Sequence, residues 1–249
     1  ILFRHYIKHP LHLNRPKTFN EKNQWLKLFG SSPFYASLVD KYAVRDYVAA
    51  KVVAKYLNEV YGVFSSAADI DFNKLPEKFV LKATHGSGWN ILCSNKSHLD
   101  IDVARNQLQE WLHMNFYFSG REPNYRTIPP KILCERFLES NDSFGLLDFK
   151  FFCFHGRVEV IQVDFDRYEN HTRNMYDKEW CLYPFTFLYP NHATGIQRPE
   201  NLDEMIHVAE TLAGEIPFVR VDLYSIDLQI LFGEMTFTPE SGFGIFRPA

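Results

Sequence analysis

The sequence predicts an α+β fold of mostly antiparallel sheets, with helices early, hairpins through the middle and one late helix feeding a last hairpin. Three observations carry this expectation. Alternating or apolar β-type runs pair off around short turns at 78–93, 147–166 and 218–239. Helical periodicity with terminal signals occupies 18–29, 36–51, 100–116 and 201–213. With 249 residues, 46% apolar and 23% charged, the chain has an ordinary globular balance and enough material for a substantial core, as one large domain or two smaller ones.

The elements follow in order. The first 17 residues are locally basic (Arg4, Lys8, Arg15, Lys17 and three histidines) and read as a solvated arm, with contact to an anionic surface as the alternative. Thr18-Phe19-Asn20-Glu21 has capping-box form, Trp25, Leu26, Leu28 and Phe29 follow, and Gly30-Ser31-Ser32-Pro33 closes the helix. Leu38, Tyr42, Val44, Tyr47 and Val48 give one helix over 36–51 a broad apolar stripe. Its charged set (Asp40, Lys41, Arg45, Asp46) reads first as solvated pairing along the helix face. Lys78–Thr84 and Asn90–Cys93 read as strands around His85-Gly86-Ser87-Gly88-Trp89. Val103, Leu108, Trp111 and Leu112 mark a helix at 100–116, and Arg121–Pro130 is a polar loop. Lys131–Leu138 reads as a strand, and the turn-forming run Glu139–Ser143 as a subdomain boundary. Leu147–His155 and Val158–Asp166 form a hairpin turning at His155-Gly156-Arg157, with Asp148 and Lys150 on one face. Arg167–Asp177 is expected to be a polar loop, and the helix from Asn201 to Ala213 buries Leu202, Met205, Ile206, Ala209 and Leu212. Beginning without Met, the chain is expected to be a piece of a longer protein.

Chemistry concentrates in the last hairpin. Asp222 sits inside Phe218–Tyr224 and Glu234 inside Leu231–Pro239, both otherwise apolar or β-branched. Alternation puts Arg220 with Asp222 on one face, and Glu234 with Thr236 and Thr238 on one face. A three-residue loop centred near Leu228 sets Asp222 opposite Glu234. Facing carboxylates repel unless a cation lies between them. Mg²⁺ with its phosphates is the usual solution; the alternative is two strands with solvated acids on a wet face. The glycine turn Gly86-Ser87-Gly88, with Lys82 on the incoming strand, tips the balance toward phosphate, because such a turn lets backbone N–H groups approach phosphate oxygens. It is not a P-loop: the spacing differs and a strand follows.

Net charge of −3 gives no electrostatic footprint for nucleic acid. Four widely spaced cysteines, three of them in apolar runs, favour a reducing compartment and a cytoplasmic protein. No H-E-x-x-H pattern supports zinc, and no apolar run is long enough to span a membrane.

Together, Phe19-Asn20-Glu21-Lys22, Asp40–Arg45, Phe79–Lys82 through Gly86-Ser87-Gly88, Asp148–Gly156, Phe218–Asp222 and Gly233–Pro239 resemble the ATP-grasp superfamily, and within it the TupA-like branch of polysaccharide biosynthesis, from about residue 17 onward. The resemblance implies a nucleotide clasped by two α+β subdomains, with an N-terminal helical segment (1–70) contributing Lys41, a central ATP-binding lid subdomain (71–140) and a C-terminal subdomain (141–249) carrying the metal hairpin. It implies that Lys41 and Lys82 hold phosphates beneath a flexible loop of Gly86, Ser87 and Gly88. Glu135 with the backbone through Leu138 would read adenine, and Asp142, or else Glu139, the ribose. Asp222 and Glu234 resemble Mg²⁺ ligands, with Thr236 standing where the family has Asn. Arg220 would face the γ-phosphate, and Lys150, Arg167 or Arg173 the transferred phosphoryl group or acceptor carboxylate. Two further departures are Glu240, in a place the family gives to Gly, and Trp89, where a small residue is usual.

The activity so implied is ATP- and Mg²⁺-dependent joining of a carboxylate to an amine through an acylphosphate. The partners expected are a uronic acid of a surface polysaccharide and an amino acid or amino alcohol, at the inner face of the membrane or free in the cytoplasm. Phosphoryl transfer to a sugar without ligation, and a non-catalytic nucleotide-binding module of a larger polysaccharide-synthesis protein, are the alternatives.

Overall fold

The computed structural model describes residues 2–140, 144–165 and 170–248. In chain order the helices are α1 (Leu2–Ile7), α2 (Phe19–Phe29), α3 (Pro33–Val39), α4 (Val44–Val52), α5 (Ile101–His113), α6 (Tyr117–Gly120) and α7 (Leu202–Ala213). The strands are β1 (Val60–Phe64), β2 (Phe79–Ala83), β3 (Asn90–Cys93), β4 (Ile132–Arg136), β5 (Asp148–Phe154), β6 (Arg157–Phe165), β7 (Thr172–Tyr176), β8 (Thr186–Phe187), β9 (Phe218–Ile226), β10 (Gln229–Thr236) and β11 (Phe246–Arg247). The chain divides into two compact units. One comprises Ile1–Gly30, Val48–Tyr56 and Glu139–Ala249, and the other Ser31–Tyr47 and Leu57–Leu138.

The smaller unit is built on an antiparallel sheet of order β1-β4-β2-β3. Along β2, Phe79, Leu81 and Ala83 alternate into a core with Ile70, Leu108, Ile132 and Cys134, so Lys82 is turned to the opposite face. Trp89 stacks on Trp111 with nearly parallel rings 6.4 Å apart, which packs the glycine turn onto the body of this unit. The single helix expected over 36–51 is two. Asp40 takes an extended ψ of 114°, and its carboxylate accepts from the N–H groups of Tyr42 and Ala43 at 2.8 and 3.1 Å. A short acidic side chain has replaced the helical bonds there with its own.

The larger unit carries a five-stranded antiparallel sheet of order β10-β9-β5-β6-β7. α7 lies over β5, β6 and β9. Cys153 approaches the Ala209 carbonyl at 3.8 Å, which identifies the face of Phe149, Phe151 and Cys153 as the one beneath α7. Fully burying Phe151, Ile161, Met205 and Leu212 contributes about 1.5–3 kcal/mol each. Asp148 and Lys150 therefore face away from α7 and yet are buried. Gly156, at φ +76°, closes the β5–β6 turn where a Cβ would lie 2.3 Å from the Gly214 carbonyl oxygen, so no other residue fits without moving that backbone.

Two expectations are corrected here. Part of the presumed polar loop 167–177 is β7, an edge strand, because Arg173 finds an acidic partner directly across in Asp164. The β9–β10 turn holds two residues, Asp227 and Leu228, both at positive φ, and not three. By itself that turn would set Asp222 opposite Gly233. A bulge between Phe232 and Glu234 advances β10 by one residue, and Asp222 faces Glu234 after all.

Candidate active site

In the larger unit the register sets one polar row across all five strands, on the face away from α7. Glu234 and Thr236 on β10 neighbour Asp222 and Arg220 on β9. Asp222 faces Lys150 on β5, and Lys150 faces Gln162 on β6. Asp164 on β6 faces Arg173 on β7. Each of these side chains is there because alternation forbids it the apolar face.

The row is buried except at Glu234 and Thr236, and it is tightly paired. The Arg220 guanidinium donates to both Asp222 oxygens at 2.7 Å, to Thr236 Oγ1 at 3.1 Å and to Glu234 Oε1 at 3.4 Å. The Lys150 ammonium donates to Asp222 Oδ2 at 2.8 Å and also to Asp148. Thus the positive charge required between the facing carboxylates is supplied by an arginine. Burial works against Lys150's charge, yet Asp148 and Asp222 hold its pKa above the ordinary lysine value. Arg220 is likewise pushed up by Asp222 and Glu234 against its burial. At the far end Asp164 accepts from Arg173 Nε at 2.5 Å and from Gln162 at 2.9 Å, and lies 3.0 Å from His171 Nε2. Burial opposes its charge, but Arg173 and Lys150 outweigh that and keep it well below the usual carboxylate range.

Glu240 follows β10 in an unusual turn: it and Ser241 both have φ of +52°. Such conformations cost about 1–3 kcal/mol per residue and persist only where the surroundings enforce them. One face of α2 does so. Asn20 donates to the Gly244 carbonyl at 2.7 Å, Gln24 to those of Ser241 and Gly242 at 2.9 and 3.2 Å, and Lys27 to Ser241 Oγ at 2.7 Å. Spacings of four and three put these donors on one helical stripe. Between them Glu21 turns back to cap its own helix and hold the preceding segment.

In the smaller unit Lys82 donates to Glu135 at 2.8 Å, and Arg45 reaches the other Glu135 oxygen at 3.3 Å. Lys82 lies opposite Leu133, so Glu135 is its diagonal neighbour on the same face. Arg45 also donates to the Asn58 carbonyl at 2.7 Å. Lys41 donates to the Gly86 carbonyl, at the foot of the turn whose Ser87 and Gly88 are exposed. Beside them His85 is buried, with Nε2 2.9 Å from the Trp111 carbonyl and its pKa lowered by burial.

The predicted residues thus fall into two groups. Lys41, Lys82, Gly86, Ser87, Gly88 and Glu135 belong to the smaller unit, as does Leu138, which lies half-buried just past the end of β4. Lys150, Arg173, Arg220, Asp222, Glu234 and Thr236 belong to the larger one. Asp142 and Arg167 lie outside the described residues. Sequence reading missed Arg45, taken for a solvated helix charge, and also Asp164, although an acid inside an apolar strand was the signal that picked out Asp222. The Glu135 carboxylate is held by Lys82 and Arg45.

Among the described residues, no group of three or more His, Cys, Asp or Glu is arranged to hold a metal. The Asp222, Glu234 and Thr236 oxygens nonetheless fit the chemistry of Mg²⁺, a hard cation that takes one or two carboxylates and completes its shell with phosphate and water. Glu234, 31% exposed at its side chain, is the more open carboxylate, since Asp222 is enclosed by Arg220 and Lys150.

The sequence matches the TupA-like ATP-grasp family over residues 21–249. The chain belongs to that family. Among solved structures, the D-alanine–D-alanine ligase from Bacillus anthracis complexed with ATP is similar with a TM-score of 0.52 at 12% identity, over 87% of this chain and 62% of that one. A D-cycloserine synthetase is similar with a TM-score of 0.46 at 15% identity, over 83% of this chain and 64% of that one. The chain spans less than two thirds of either solved structure, and its likeness to the D-alanine–D-alanine ligase is one of fold: α+β with antiparallel sheets. No curated protein matches the sequence. In this TupA-like ATP-grasp chain strand alternation puts Lys82, Glu135, Lys150, Arg220, Asp222 and Glu234 on polar sheet faces, whereas Lys41 and Arg45 come from the segment after α3 and from α4.

Proposed function

We propose that the protein is an ATP- and Mg²⁺-dependent carboxylate–amine ligase. The observation that carries this is the row Glu234–Arg220–Asp222–Lys150, buried except at its Glu234 end, a costly arrangement of charge with little reason to exist in a purely structural sheet. Lys41 and Lys82 would hold nucleotide phosphates, with Gly86, Ser87 and Gly88 covering them. Glu234, Asp222 and Thr236 would hold Mg²⁺, whose contribution when bound is to neutralise phosphate charge.

The chain's own residues do the rest. Arg220, held by Asp222 in a fixed orientation, offers its guanidinium to a phosphoryl group acquiring charge in the transition state. Lys150 offers an ammonium whose raised pKa keeps it charged. A substrate carboxylate oxygen attacks the γ-phosphorus, forming the acylphosphate O–P bond as the bond to ADP breaks. An amine nitrogen then attacks the acyl carbon, the C–O bond to phosphate breaks, and the amine gives up its proton. Closure of the glycine turn would exclude water from the acylphosphate.

For substrates, we propose a uronic acid carboxylate and an amino acid or amino alcohol, in surface polysaccharide synthesis near the cytoplasmic membrane face. Family membership alone supports this finer assignment. No helix among the described residues is long and apolar enough to cross a membrane.

The test is release of ADP and phosphate from purified protein given Mg²⁺, uronic acids and a panel of amines, with hydroxylamine added to trap an acylphosphate as hydroxamate. Hydroxamate and an amide product are expected. Phosphorylated sugar without hydroxamate would turn the assignment to simple phosphoryl transfer, and no ADP release with any mixture would leave a non-catalytic module.

A further inference from the structure

Within that ligase reading, on which the following rests, we infer that Glu240 is the specificity-determining carboxylate for the amine substrate, selecting it by the ammonium charge it carries on arrival.

Glu240 stands out by conformation. A glycine would take φ +52° without cost, so what a glutamate adds at this position is its carboxylate. Three side chains of α2, more than two hundred residues earlier in the chain, fix the turn at Ser241, Gly242 and Gly244, which removes the alternative of a loosely wandering loop. Gly242 sits at φ +72° with Gln24 Nε2 2.6 Å from where a Cβ would stand, so a side chain there would displace Gln24 from the turn. The turn is therefore a rigid mount, and Glu240 is the charged group it presents.

That carboxylate keeps its hydrogen-bonding capacity. Arg173 forms an ion pair with it at 3.7 Å, beyond hydrogen-bonding reach. Arg173 is already spent: Nε donates to Asp164, NH1 to the Phe187 carbonyl, and its guanidinium lies 4.8 Å over the Tyr189 ring. The Glu240 side chain is 34% exposed, open enough to meet a ligand and sheltered enough for the contact to count.

Charge decides the ligand class. A carboxylate-bearing substrate group brought to Glu240 would be repelled, whereas an aliphatic amine, protonated near neutral pH, is attracted. A ligase needs one such substrate. Ordering it as the ammonium and releasing the proton before attack gives Glu240 a role in binding and none in bond making.

The experiment compares wild type, Glu240→Gln and Glu240→Lys with two nucleophiles: an ammonium-type amine such as ethanolamine, and hydroxylamine, which is largely neutral at neutral pH. Loss of a charge-assisted contact is expected to raise KM for ethanolamine about tenfold or more in Glu240→Gln, leaving KM for hydroxylamine and for ATP as in wild type. Glu240→Lys is expected to reject ethanolamine further. Equal losses with both nucleophiles would assign Glu240 a merely structural role, and an unchanged KM for ethanolamine would overturn the inference. Wild type inactive with every nucleophile would instead overturn the ligase reading beneath it.

Discussion

Replacing Glu21 by Gln tests how the α2 mount is secured. The Glu21 carboxylate is buried and accepts from the backbone N–H groups of His12, Lys17 and Thr18 at 3.1, 2.9 and 3.0 Å, and from the Thr18 hydroxyl at 3.3 Å. Burial alone would raise its pKa, but the Thr18, Lys17 and His12 N–H bonds outweigh it and lower the value from 4.5 to about 2. At about 1.4 kcal/mol per pKa unit, that shift corresponds to about 3 kcal/mol of stability. A folded-state pKa below the unfolded one means the contribution is complete above pH 4.5 and is lost as pH falls toward 2. An amide keeps one acceptor oxygen but turns an NH₂ toward donors, so Glu21→Gln is expected to lose about 3 kcal/mol at neutral pH. Urea unfolding of wild type and variant at neutral pH, near 4 and near 2 reads this directly. The gap between the two proteins should be widest at neutral pH and narrow sharply near pH 2. A gap that stays constant with pH would refute the ionised-clamp explanation, and so would its absence.

Two further outcomes bear on the site. Glu234→Gln, isosteric and lacking only charge, should abolish ADP release while leaving the far-ultraviolet spectrum and urea midpoint near wild type; retained turnover would remove Glu234 from the metal assignment. Lys82→Ala should weaken ATP binding by about 2–5 kcal/mol, as for one partner of a desolvated charge pair, measured by calorimetry, with Lys82→Arg recovering part of the loss; unaltered affinity would leave Lys82 as nothing more than a structural partner of Glu135.

Much of the fold was legible locally. The capping box at Thr18 started α2 where its residues said it would, and Gly156 turned the β5–β6 hairpin as expected. Charges inside apolar strands mark the polar face, because alternation forces such a residue to one side. The failures were local competitions. Asp40 broke a helix whose stripe read as continuous, and Arg173 made a strand of a segment whose composition read as loop.

The sequence by itself determined where the β2–β3, β5–β6 and β9–β10 hairpins and the helices α2, α5 and α7 lie, and which side of a strand each charge takes, since both follow from short-range periodicity. Only the tertiary structure decided partnership. β9 lies between β10 and β5, so Asp222 meets Lys150 as well as Glu234, and a one-residue bulge, invisible in the pattern, sets that meeting in register. Glu135 faces Lys82 and Arg45 through sheet order and helix placement, and α2 grips a turn at the far end of the chain. Such pairings depend on how distant segments are brought side by side, and no window of neighbouring residues carries that information.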